Sequence, residues 1–296
     1  MSVALGQARS PLPSLLSTGA AVAGLSGADA AVRAALPLSR RVGIVALAGG
    51  SGTTTTTATL ASLLARRRTG MVLGVDAAGG TLGLARRTAA EEADPTAVEA
   101  AAARRLSART AADACAGLPR TASGLHVLDL PGPGGRAASV GTWAGGVAPI
   151  SRFFDLVVTD WGVRSAEDDL AEIAAGSHLL VAVSRSERSA TAAAAAVLDG
   201  LDGLDGLDGL ERLERRGGPR TLHAVVDLAR SPDRVVPALR RTSSRPVLLL
   251  PFEPEHARTA TPTSRRYRRG TRVAGIALAV AVVTEAVASQ AAVVRA

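Results

Sequence analysis

Lysine is absent from this chain: all 34 basic residues are arginine. A lysine amine is therefore excluded from any site the chain builds. Cysteine is nearly absent too. The single Cys115 rules out an internal disulfide and fits a reducing compartment. Aromatic residues make up 2% of the chain, so its core must come from Ala, Val and Leu. The four histidines, His126, His178, His223 and His256, are scattered, and no Cys/His cluster has metal-ligand spacing. What is present is bulk: 296 residues, 47% hydrophobic, enough for one large α/β domain with tails. The exclusive use of arginine, with abundant Ala and Gly, suggests a GC-rich genome. A net charge of +8 favours nucleic acid or anionic lipid as a partner. A generally basic surface accounts for it equally well.

The chain is organised around Arg41 to Ala65, RVGIVALAGGSGTTTTTATLASLLA. Val42 to Leu47 reads as a short buried strand, followed by a glycine-rich turn and a threonine-led helix. This is the layout of a phosphate-binding loop, in which backbone N–H groups and a helix N-terminus face an anion. Gly49, Gly50 and Gly52 supply the glycines, with Ser51 between them. Thr54 stands where a hydroxyl would ligate Mg²⁺, and Thr53 stands where the usual pattern G-x-x-x-x-G-K-[ST] has lysine. The stretch resembles the deviant P-loop of the ParA/MinD family of partitioning and positioning ATPases, K-G-G-x-G-K-[ST]-[ST]. Here it runs Ala48-Gly49-Gly50-Ser51-Gly52-Thr53-Thr54-Thr55, with both lysines missing. The loop is kept and its charge is gone.

Later elements fit the same resemblance. Met71 to Val75 is a second short strand, ending at Asp76, then a turn Ala77-Ala78-Gly79-Gly80-Thr81-Leu82-Gly83. The family has D-x-D here. Asp76 matches its first aspartate, a metal-side residue, and Ala78 occupies the second, which in the family orients the attacking water. A methyl group cannot do that work. Glu91 to Ala116 reads as helical, and Leu125 to Leu130 as a strand. Phe153 to Asp160, FFDLVVTD, is a hydrophobic strand ending in Asp160, which resembles the Walker B aspartate that in the family holds Mg²⁺ through water, with Asp155 matching an acidic residue that often opens it. Trp161-Gly162-Val163 replaces the family's T-P-P, so the following switch is altered. Leu179 to Val183 is a strand leading into the loop Ser184 to Ser189, and Leu222 to Leu228 is another. Near its end Asp227 stands where the family has an adenine-contacting Asn. An aspartate accepts from the adenine amino group but cannot donate to a ring nitrogen as an amide does. Pro251 opens a turn resembling the one that cradles the base.

Residues 1–40 are rich in Ala, Ser, Gly, Leu and Pro and read as a disordered tail. Leu15 to Leu25 passes for a weak signal-peptide core before Ala28-Asp29-Ala30, but its n-region has only Arg9, and Gly and Ser interrupt the run. The repeated Leu-Asp-Gly triplet from Gly200 to Leu210 reads as a loop insertion reaching about residue 218, because glycine weakens any helix there. Its carboxylates lack EF-hand spacing. The basic segment Arg265, Arg266, Arg268, Arg269 and Arg272 precedes an apolar stretch from Val273, all within 264–296. That stretch reads as a final helix packed on the sheet. A membrane anchor with an arginine flank is the alternative, and the arginines alone could meet DNA phosphates or simply form a solvated basic face.

The expected fold is a doubly wound α/β domain over 41–296, a mostly parallel sheet with helices on both faces. The resemblance implies ATP or ADP with Mg²⁺, a face-to-face homodimer, contact with nucleoid DNA or an anionic membrane, and a cytoplasmic location. Without the two lysines and the switch carboxylate, a transition state that depends on positioned charge loses its stabilisation. Two readings follow: a ParA/MinD-like scaffold with little or no ATPase activity, or a working switch ATPase with unusual loop chemistry. A nonspecific DNA-binding module is a third. An arginine entering in trans could replace the lost charge, with Arg164, Arg185 and Arg188 at the expected nucleotide edge.

Overall fold

The computed structural model describes residues 24, 26–80, 83–90, 98–130, 132–165, 169–202, 219–230, 235–258 and 264–294. Seven strands form one sheet: β1 (Arg40–Ala46), β2 (Val72–Asp76), β3 (His126–Asp129), β4 (Leu156–Val163), β5 (Leu179–Arg185), β6 (Arg220–Val226) and β7 (Val247–Leu250). Their order is β3-β2-β4-β1-β5-β6-β7, and every strand pair is parallel. Parallel neighbours need crossovers, and helices supply them. These are α1 (Thr53–Arg67), α2 (Leu84–Thr88), α3 (Val98–Leu106), α4 (Ala111–Ala114), α5 (Val140–Ser151), α6 (Leu170–Gly176), α7 (Arg188–Asp202), α8 (Val235–Thr242), α9 (Pro254–Arg258) and α10 (Arg269–Val294).

The strands are apolar on both faces because both faces are covered. Along β1, Val42 and Ile44 point into one core and Val45 into the other. The first core is closed by α1, through Leu60 and Leu64, and by α10, through Leu278, Ala279, Val282 and Val283. The second is closed by α5, α6 and α7 through Trp143, Val147, Ile150, Leu170, Ile173 and Leu198. This is the doubly wound sheet expected. β1 lies between β4 and β5, so the loop leaving it opens where the chain switches direction across the sheet, the usual crevice for a ligand in such folds.

Several expectations need correction. The helix expected over Glu91 to Ala116 is two helices, Val98–Leu106 and Ala111–Ala114, separated at 107–110, with 91–97 outside the described residues, and β5 runs on to Arg185 where a loop was expected from Ser184. The domain begins before residue 41: residues 26–33 are helical, Val32 and Leu36 are buried in the first core, and the Arg68 guanidinium donates to the Val32 carbonyl at 2.6 Å. The apolar residues at 32 and 36 have a face to cover, which composition alone concealed; residues 1–23 lie outside the described residues. The Leu-Asp-Gly run does not start as a loop, since α7 continues through Gly200 to Asp202 and buries Leu201. Residues 203–218 lie outside the described residues. β4 does not stop at Asp160 but runs on to Val163 through a bulge, in which Ile44 faces Asp160 and Val45 faces Gly162. Gly162, at φ 67°, takes the left-handed conformation that such a bulge assigns to glycine.

Helix α10 packs on α1 and on the sheet, as expected. Its portion Arg269–Ser289 is also long and apolar enough, by length and composition, to cross a membrane.

Candidate functional site

The loop from β1 to α1 is shaped by glycine. Gly50 and Gly52 have φ of 69° and 86°, where a side chain would be strained. Gly52 is the N-cap of α1, a 15-residue helix with no side-chain cap and no acidic residue in its first turn. The N–H groups of that turn have no partner within the helix and carry the positive end of its dipole. The Ser51 hydroxyl is spent inside the loop, donating to the Ala48 carbonyl at 2.7 Å. Thr53 is buried, while Thr54 and Thr55 are half-buried at the helix start. Residues Gly49 to Thr55 thus form the turn after β1 and the first residues of α1.

Beside this loop lie two carboxylates. Asp76 and Asp160 are paired in register on the adjacent strands β2 and β4, and Asp129 is paired with Asp76 on β3. Asp76 is used structurally: it accepts from Ala78 N at 3.1 Å and from Leu84 N at the start of α2. Burial pushes its carboxyl up from the ordinary value. Asp160 is fully buried. Its Oδ1 accepts from Gly162 N at 3.0 Å, and its Oδ2 has no hydrogen-bond partner. Burial pushes this carboxyl up to about 7; the Thr54 hydroxyl beside it pulls down, and the Asp76 charge pushes up. Asp129, more exposed, is raised by burial and by Asp76.

A buried, unpartnered carboxylate oxygen next to a threonine hydroxyl is a fit for a divalent cation. Among the described residues no group of three or more His, Cys, Asp or Glu is placed to hold one. Mg²⁺ keeps several waters and takes one or two protein ligands plus phosphate oxygens, so the Asp160 carboxylate and the Thr54 hydroxyl are donors of the right kind for it. The third row member, Asp129, was missed in the sequence; its signal was the same as for Asp76 and Asp160, an apolar strand ending in aspartate.

Ala78 lies against the bulge of β4. Ala78 is half-buried, and a Cβ added to Gly162 would meet the Ala78 Cβ at 2.8 Å. Trp161, from the altered motif, packs 6.2 Å from Trp143, whose indole N–H donates to Thr159 Oγ1 at 3.0 Å. Arg164 holds this region together. It stacks on Trp161, pairs with Asp169 at 2.8 Å, and donates to the carbonyls of Ala77 and Ala138. Asp155 lies at the opposite end of β4, where it meets Arg68 at 3.4 Å, far along the strand from the loop.

On the other side, Asp227 and Pro251 come together at the ends of β6 and β7. Asp227 N donates to Leu250 O at 2.9 Å, and its carboxylate accepts from Ala229 N at 3.0 Å. A Cβ on Gly52 would lie 3.6 Å from Val226, so this edge borders the loop. The basic segment is exposed at Arg265, Arg266, Arg268, Arg269 and Arg272. Glu253 fixes its base by accepting from Arg268 N at 2.8 Å.

Comparison with protein-family models gives no match, and comparison with curated proteins gives none either. Solved structures do match. The cell division ATPase MinD of Pyrococcus furiosus is 20% identical, with a TM-score of 0.58 over 82% of this chain and 98% of its own. The septum site-determining protein MinD of Pyrococcus horikoshii, complexed with Mg-ADP, is 18% identical, with a TM-score of 0.57 over 81% and 94%. A ParA family ATPase from Chlorobium tepidum is 14% identical, with a TM-score of 0.56 over 82% and 99%. At these identities the likeness is one of fold, and the fold is the ParA/MinD-like P-loop NTPase fold.

Proposed function

We propose that this chain, with its ParA/MinD-like P-loop fold, is a nucleotide-binding positioning or scaffold factor that hydrolyses ATP weakly or not at all. One observation carries the reading. The glycine loop, the uncapped N-terminus of α1 and the orphaned Asp160 oxygen persist, while Ala48, Thr53 and Ala78 stand where the two cations and the switch carboxylate belong. Binding elements are kept and hydrolytic ones are not. In this reading the loop N–H groups of Gly49 to Thr55 hold the phosphates of ATP or ADP, Thr54 and Asp160 hold Mg²⁺ with Asp76 behind them, and Asp227 and Pro251 border the base. Mg²⁺ would neutralise charge on the phosphate oxygens. Ala78 can neither orient nor deprotonate a water, so the bound nucleotide persists.

The remaining assignments extend the same reading: a homodimer, cytoplasmic, with Arg265 to Arg272 contacting DNA phosphates or an anionic membrane surface. The exposure of all five arginines on one short segment supports that contact. Calorimetry with Mg-ATP and Mg-ADP, on wild type and on Thr53→Lys, tests the site. Binding by wild type is expected; silence from both proteins would sink the nucleotide assignment.

A further inference from the structure

We propose that Arg185, in the same chain, is the phosphate-binding cation of the loop, in place of both absent lysines. The inference rests on the nucleotide-site reading above and names the residue that makes it work. Arg185 ends β5, the immediate neighbour of β1, so a rigid strand delivers it to the loop's edge. Its Nη2 donates to the Gly49 carbonyl at 2.7 Å. A Cβ on Gly50 would come within 2.8 Å of that same nitrogen, so glycine at 50 is what allows the guanidinium to lie against the backbone. Its Nε is buried with no hydrogen-bond partner. Arginine carries five donors in a planar fork that matches phosphate oxygens two at a time, and among the described residues the one recorded acceptor of this fork is the Gly49 carbonyl.

A second, independent observation points to the same ligand class. Asp160, fully buried on β4 at the other side of β1, has an oxygen with no hydrogen-bond partner among the described residues, and Thr54 of the helix start lies beside this carboxylate. A cation at one flank of the helix N-terminus and an orphaned carboxylate at the other suit a metal-bound di- or triphosphate. The other two arginines near the edge are differently employed. Arg164 is bound to Asp169 and to two carbonyls, and Arg188 is exposed on α7. The charge therefore comes in cis, from β5, with no need of a partner subunit.

Titration of the full chain with Mg-ADP and with inorganic pyrophosphate, by calorimetry, tests this. Arg185→Ala should weaken both ligands by about tenfold to a hundredfold, the range for losing a charge-assisted hydrogen bond. Arg185→Lys should fall between, Arg188→Ala should match wild type, and Thr53→Lys added to Arg185→Ala should restore binding at an unchanged melting temperature. Wild-type affinity in Arg185→Ala would overturn the inference and leave the nucleotide site standing. So would binding by Thr53→Lys alone, since Arg185 would then not suffice. Silence from every protein would remove the nucleotide reading and this inference together.

Discussion

Replacing Asp160 with asparagine should make the ligand-free protein more stable and the site inert. The Asp160 carboxyl is pushed up to about 7 from an ordinary value of 3.8, chiefly by burial, with the nearby Asp76 charge adding to it. A folded-state value above the unfolded one means that the folded state holds the proton more tightly. That stability is fully present below pH 3.8 and is lost as pH rises through 7. A difference of about three pH units corresponds to about 4 kcal/mol. The asparagine side chain carries no charge, so the Asp160→Asn variant keeps what the wild type loses: roughly 4 kcal/mol at about pH 8.5, about 2 kcal/mol at about pH 5, and nothing below about pH 4. The amide oxygen introduced there can still accept from Gly162 N. Urea melts of both proteins at the three pH values read the difference directly. Equal stability at the highest pH, or a gap that does not change with pH, would refute the reasoning. In the same variant Mg-ATP should give no thermal stabilisation, because the orphaned oxygen is gone.

Three further outcomes follow from named contacts. His223 is buried against Ser184 Oγ at 2.8 Å, and burial, with Arg245 adding, pushes its imidazole down to about 4. Its contribution is present above pH 6.5 and lost as pH falls toward 4, about 3 kcal/mol in all; His223→Gln should show a shallower acid limb in melts between about pH 7 and about pH 4. Gly50→Ala should cost about 1 kcal/mol of stability for its φ of 69° and, by displacing Arg185, weaken Mg-ADP in calorimetry. Arg164→Ala should cost about 3 kcal/mol, since it breaks the Asp169 ion pair and strips donors from the buried carbonyls of Ala77 and Ala138; a loss under about 1 kcal/mol in urea melts would count against the clamp.

The parallel sheet was legible because its strands are short apolar runs, several of them closing on Asp, and because a glycine turn follows the first of them. The resemblance singled out Gly49 to Thr55, Asp76 and Asp160, and the structure sets Asp76 and Asp160 in register on β2 and β4. Pairwise geometry was not legible. Arg185 reads as a loop residue in sequence, since nothing local says that β5 lies beside β1 and runs on past its apolar stretch to residue 185. Trp161-Gly162-Val163 reads as an altered switch, yet it continues β4, because a glycine at φ 67° lets the strand bulge and resume. The segment before Arg40 reads as a tail because it is rich in Ala, Ser, Gly, Leu and Pro, and the core that Val32 and Leu36 join, with residues of α1 and α10, is built from residues far off in sequence.

Persistence of the bound nucleotide is the central claim. It is tested by following release of γ-phosphate from Mg-ATP, in a single turnover, on protein saturated with the nucleotide. The account predicts a rate at or barely above the buffer background in wild type, little changed by Asp160→Ala. Release well above background that Asp160→Ala abolishes would show a working ATPase and contradict it.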